Sequence, residues 1–209
     1  MKTLRILALA GVLAVAGCSS SEKPAEPTFE ASSAPAAPSV AVTAAGVKVG
    51  PKGSPCELPF SFDAAADWKP KAVDVKTLGE FAELAKVGEF TNVCEIDAKP
   101  AGNIGFLRVY LAEGRSGQPR GHLDAFVKAG RREVSGEVYK DIQVAAQQGA
   151  EVTWNLKSTS LDMTTRYSAF AMNTEAGAVV VVLNAFDEIE YEQMLPAFQL
   201  AVQSAAVAS

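Results

Sequence analysis

Ser116 and His122 are the residue types a serine hydrolase would need, a hydroxyl nucleophile and a base. Gly114-Arg115-Ser116-Gly117 resembles a nucleophile elbow, but one spacer is missing before the closing glycine. Gln118-Pro119 follows where a helix should begin, and the composition is that of a surface loop. His122, the only histidine, stands beside a predicted helix start, where an exposed or capping role is the plain expectation. Asp187, Glu188, Glu190 and Glu192 could be read as cation ligands. Calcium, however, needs carboxylates converging from a loop with a sharp glycine turn. This run continues into a helix, whose positive end it would complement. No HExxH, clustered His/Cys set, Walker loop or dinucleotide fingerprint occurs. Catalytic residues, metal ligands and cofactors are therefore all expected to be none.

Three cysteines remain, and the first is explained by its surroundings. Lys2 and Arg5 precede an apolar run over residues 6–16, and Val15-Ala16-Gly17 leads into Cys18. A positive start, a short apolar core and small residues at the cut make a secretory signal peptide over residues 1–17. The run is too short to span a bilayer, which takes roughly 20 apolar residues. The cysteine directly after the small pair resembles the bacterial lipoprotein motif. That resemblance implies a diacylglyceryl thioether on Cys18, with cleavage leaving it as the first residue. Acyl chains such as palmitate would then hold the protein on the extracytoplasmic face of the cell membrane, since two chains anchor stably where one does not. Cys56 and Cys94 are left as an even pair in an oxidising compartment, where a disulfide is the default.

Removing residues 1–17 takes away Lys2 and Arg5, so the 19 basic side chains become 17 against 24 acidic ones, net −7. That balance argues against nucleic acid as a partner and against broad adsorption to anionic head groups. Lys128, Arg131 and Arg132, with Arg120 and Arg115 nearby, form a small basic group. They could take an anionic head group or an acidic partner, but the first three fall in a helix's last turn, where cations are expected. Trp68, Phe106, Tyr110 and Trp154 could line a hydrophobic groove; at strand spacing, core is the commoner use.

Elements must position these residues. Residues 18–55, rich in Ala, Ser and Pro, read as a disordered tether, and residues 56–206 as one domain. Leu58, Phe60 and Phe62 alternate, with Pro59 suggesting an edge strand. Further strands are expected around 68–75, 94–97, 104–111, 138–144, 151–157 and 163–173. Residues 178–186 are apolar on both faces, as in a central strand, after a tight turn at Glu175-Ala176-Gly177. Thr77 and Glu80 form a capping-box pattern for a short first helix. Leu123, Phe126, Val127 and Gly130 mark a second. The third covers 188–204, with a kink or restart expected at Pro196. The fold class is α+β, an antiparallel sheet packed against two or three helices.

Two stretches carry a resemblance. Leu58-Pro59-Phe60-Ser61-Phe62 leads to Asp67-Trp68, and Val179-Val180-Val181-Val182-Leu183 leads through an acidic turn to a closing helix with Pro196-Ala197-Phe198. This layout resembles the PsbP-like fold over residues 58–205. Actinobacterial lipoproteins of the LpqN/LpqT type are also placed in that group. The resemblance implies a binding or assembly module rather than an enzyme, with an envelope protein as partner. It brings no functional residue with it, because no ligand motif is shared. The alternative is a small carrier or sensor of a hydrophobic or lipid ligand. A deep apolar pocket between sheet and helices would favour the carrier, and a filled core with exposed apolar surface the module.

Overall fold

The computed structural model describes residues 43–130, 133–158 and 162–207. The strands are β1 (Ala45–Val49), β2 (Phe60–Ala65), β3 (Lys69–Ala72), β4 (Lys86–Val87), β5 (Phe90–Asp97), β6 (Gly105–Glu113), β7 (Glu133–Val144), β8 (Gln147–Ser158), β9 (Met163–Thr174), β10 (Gly177–Ala185) and β11 (Ala206–Val207). Two α-helices, α1 (Pro119–Ala129) and α2 (Glu188–Ser204), complete the framework with the 3-10 segments Val75–Ala85 and Lys99–Ala101. The main sheet runs β3-β5-β6-β10-β9-β8-β7, with β4 pairing β5, and its named pairs are antiparallel. The fold is α+β, as the strand spacing predicts.

The run of valines in β10 explains its place between β6 and β9. Val179, Val181 and Leu183 face one layer and Val180 and Val182 the other, all almost fully buried. On the first side, α2 and the small sheet β1-β2-β11 close a core that includes Phe60, Phe62, Phe170, Met194 and Phe198. On the second, α1 lays Leu123, Phe126 and Val127 over part of the sheet. The turn Glu175-Ala176 ends on Gly177, at φ 138°, where a Cβ would run into the Ala112 carbonyl. Only glycine fits there.

Several expectations need correction. β1 is hydrogen-bonded to β2, so Ala45–Val49, inside the span expected as tether, forms a strand of the domain. β2 lies between β1 and β11, not at an edge; Pro59 falls just before it, where its missing N–H costs no ladder bond. Pro70, in contrast, does occupy an edge strand, β3. The capping box at Thr77 and Glu80 does not start an α-helix. Asp74 caps a 3-10 segment, accepting from the Lys76 N–H at 3.0 Å, and Gly79 breaks it at φ 52°. α2 runs without restart through Pro196. Tertiary packing of Tyr191, Met194 and Phe198 holds it together, although proline offers no N–H to the Glu192 carbonyl.

Candidate functional site

α1 is shorter than the sheet face it covers, and the uncovered part forms a groove of about 460 Å³. Its floor is aromatic. Trp154 of β8 stacks on Tyr167 of β9, with ring centroids 5.3 Å apart, because the two are register partners. Tyr110 of β6 meets Phe126 of α1 edge-on at 4.9 Å. Val127 and Gly130 form one wall, Val134 and Leu156 another, and Leu84 and Val87 close the third side. Leu84 is 82% exposed, so the groove has an apolar lip open to solvent.

One end of the groove is polar. Alternation along β5, β6, β10 and β9 puts Glu95, Arg108, Asn184 and Tyr167 on one face, with Glu95 opposite Arg108, Asn184 opposite Tyr167, and a two-residue diagonal step from Arg108 to Asn184. Arg108 donates to Glu95 at 2.7 Å and to Asn184 Oδ1 at 2.7 Å, and Asn184 donates to the Tyr167 hydroxyl at 2.8 Å. Arg108 also lies over the Phe106 ring, 4.8 Å from its centroid. Glu95 offsets the guanidinium charge, so this end presents hydrogen-bonding groups with little net charge.

At its other end α1 is tied down by His122. The side chain is buried, 1% exposed, which corrects the expectation of an exposed or capping residue. His122 shares the inward face of α1 with Leu123, Phe126 and Val127. Arg115 Nε donates to His122 Nδ1 at 2.9 Å, and His122 Nε2 lies 2.9 Å from Asn173 Oδ1. Arg115 further pairs with Glu89. Burial, the largest influence, pushes the imidazole pKa below its ordinary 6.5; the bond to Asn173 opposes this and the Arg115 charge adds to it. Ser116 is exposed in the adjoining loop, while both ring nitrogens of His122 have other partners.

Residues 25–205 match a family described as uncharacterised lipoprotein. The chain belongs to that lipoprotein family. No curated protein matches it. Among solved structures, this lipoprotein is similar to cyanobacterial PsbP (CyanoP) from Synechocystis sp. PCC 6803, known from its solution structure. The TM-score is 0.53 at 11% identity, over 79% of this chain and 94% of that one. At that identity the likeness is one of fold.

The lipoprotein's other singled-out residues are dispersed. Cys18 lies outside the described residues, as do Arg131 and Arg132. Cys56, before β2, and Cys94, on β5, are brought to disulfide bonding distance with Cα atoms 6.0 Å apart, both buried. Asp187 caps α2, accepting from the Glu190 N–H at 2.9 Å. Glu188 and Glu192 bracket Arg166 at 2.8 and 3.1 Å, and Glu190 accepts from the Ile104 N–H at 3.0 Å. These acids are engaged with the protein itself. Among the described residues, no group of three or more His, Cys, Asp or Glu side chains gathers as metal ligands. Lys128 pairs with Asp124, Arg120 lies over the Tyr139 ring, and Arg115 pairs with Glu89. The four aromatics divide. Trp154 and Tyr110 line the groove, Trp68 belongs to the opposite core, and Phe106 sits under Arg108. Tyr167 and Phe126 complete the groove floor and escape sequence reading. Tyr167 lies in a strand of mixed pattern, and Phe126 counts equally well as ordinary helix core.

Proposed function

We propose that this lipoprotein is a non-enzymatic binding module of the cell envelope, anchored through lipid on Cys18 and engaging a protein partner in the groove beside α1. The observation that carries the reading is the groove's exposed apolar lip and aromatic floor, set on a sheet that buries apolar side chains on both faces. Aromatic anchors with hydrogen-bonding groups at one end suit a protein segment that buries a few side chains there. The engagement of both His122 nitrogens by Arg115 and Asn173 supports a role without catalysis. Kinship with actinobacterial lipoproteins of the LpqN/LpqT type, and placement on the extracytoplasmic face, belong to the same proposal. The cavity volume also falls within the 300–1,000 Å³ common for small-molecule sites, which keeps the lipid-carrier reading as the alternative.

A photo-crosslinking amino acid at Leu84, in cells, tests this. The module reading expects adducts to envelope protein that are absent when the probe sits at exposed Gln203 on α2. Leu84→Asp should reduce capture of that partner by probes elsewhere on the groove rim, with stability changed by less than about 0.5 kcal/mol at so exposed a position. Adducts only to lipid, or a lipid-sized mass retained in native mass spectrometry, would replace it with the carrier reading. Equal labelling from Leu84 and Gln203 would remove the groove from consideration.

A further inference from the structure

We propose that the contact of His122 with Arg115 and Asn173 is an acid-released latch, so that a second proton on the imidazole frees the first turn of α1 and the 114–118 loop and widens the groove. The inference rests on the groove being the binding site, because Phe126 and Val127, one turn further along α1, form its wall.

The donors and acceptors fit only one way. A guanidinium Nε donates and never accepts, so Nδ1 of His122 must carry a lone pair. The ring's single hydrogen is then on Nε2 and meets Asn173 Oδ1, while the Asn173 amide donates to the Gly117 carbonyl at 3.0 Å. Gln147 holds the Asn173 backbone carbonyl at 2.7 Å. Three parts of the chain therefore converge on one neutral imidazole: the 114–118 loop through Arg115 and Gly117, β9 through Asn173, and α1 itself.

Protonation of Nδ1 turns that contact into a clash. An N–H would face an N–H, and an imidazolium would face a guanidinium, with the ring almost wholly shut off from water. Charges around it do little to relieve this. The loop contributes the cation Arg115, and β9 and the start of β8 contribute uncharged Asn173 and Gln147. Glu89, from the β4–β5 turn, is half-exposed and already paired with Arg115. On α1, Asp124 is paired with Lys128, and Arg120 is directed to Tyr139.

The sign of the effect follows. Burial and Arg115 hold folded His122 below its usual 6.5, so the unlatched ring accepts the proton more readily. The latch contributes fully above about pH 6.5 and is lost as pH falls through the folded value beneath it.

Hydrogen exchange of the untagged full chain in mild detergent reads the latch directly. From about pH 7.5 to about pH 5.5, after correction for chemical exchange rate, peptides over 114–127 should progressively lose protection while β10 keeps its own. His122→Gln should abolish the difference. Because the chain holds one histidine, its imidazole can also be titrated by NMR without ambiguity. Its midpoint should lie below 6.5, with the loss of protection setting in above that midpoint and levelling off beneath it, a criterion that survives even if the glutamine variant does not fold. Protection that is flat with pH, or an identical loss in His122→Gln, would overturn the latch. Failure of the Leu84 crosslinks would overturn the groove reading instead and leave the exchange result standing.

Discussion

The buried pair Ser168 and Tyr191 shows how single polar atoms hold this lipoprotein together. Their hydroxyl oxygens are 2.7 Å apart where α2 crosses β9, and the two residues are 0% and 2% exposed. Burial pushes the Tyr191 pKa up, with the Ser168 bond and the Arg166 guanidinium over the ring opposing it. Ser168→Ala should therefore cost about 1–3 kcal/mol, because it strands a buried hydroxyl rather than merely deleting a bond. Adding Tyr191→Phe should recover part of that loss, a coupling that denaturant unfolding of the four variants of a double-mutant cycle would expose. Equal and additive losses would mean water already serves the site. Neither residue stands out in the sequence, since a serine in a mixed strand and a tyrosine on a helix carry no sign of facing each other. His122 is hidden differently. Its place near a helix start suggests exposure, but its spacing from Leu123, Phe126 and Val127 already puts it on the inward stripe. Cys56 and Cys94 are legible as a pair because an expectation of export, not any spacing, singles them out, and they lie at disulfide distance.

Elements were readable where periodicity was strong and turn chemistry ordinary. β10, apolar on both faces, belongs at the sheet centre and is found there, and Glu175-Ala176-Gly177 makes the turn before it. The segment over residues 75–85 is 3-10 rather than α-helical, because Gly79 at φ 52° overrides the capping box that Thr77 and Glu80 spell out. β1 and β11 were invisible, as strands of five and two residues carry too little pattern. The β7–β8 turn is a sharper case. Ala145 and Ala146 adopt φ of 53° and 59°, left-handed values that usually call for Asn or Gly. Register from Val144–Gln147 outward, not local preference, forces them there. Ala146→Gly should relieve that strain and stabilise the protein by about 0.5–1 kcal/mol, since an L-residue gives up roughly 1–2 kcal/mol in this conformation and glycine loses part of the gain to entropy. A raised thermal midpoint would confirm it; a lowered one would mean that the turn relaxes elsewhere at no cost.

At the level of the whole molecule, the first and last strands of the described residues share one partner, β2. β1 and β11 flank β2 in the small sheet, on the side of the main sheet covered by α2, whereas the groove opens on the α1 side. The anchor proposed at Cys18 has a use beyond retention if it holds the groove near a membrane-bound partner. Cys18→Ala tests it in two steps. The wild-type protein should fractionate with membranes, and globomycin should make its precursor accumulate. The alanine variant should leave the membrane fraction and show no globomycin-sensitive processing, while its domain keeps the same thermal midpoint. If the Leu84 crosslinks then fall with it, the lipid serves to concentrate the groove near a membrane-bound partner, as expected when tethering turns a weak contact into an effectively intramolecular one. If the crosslinks persist undiminished, the partner is soluble and the anchor only retains the protein. Membrane association or globomycin-sensitive processing of Cys18→Ala would place the attachment elsewhere in the chain.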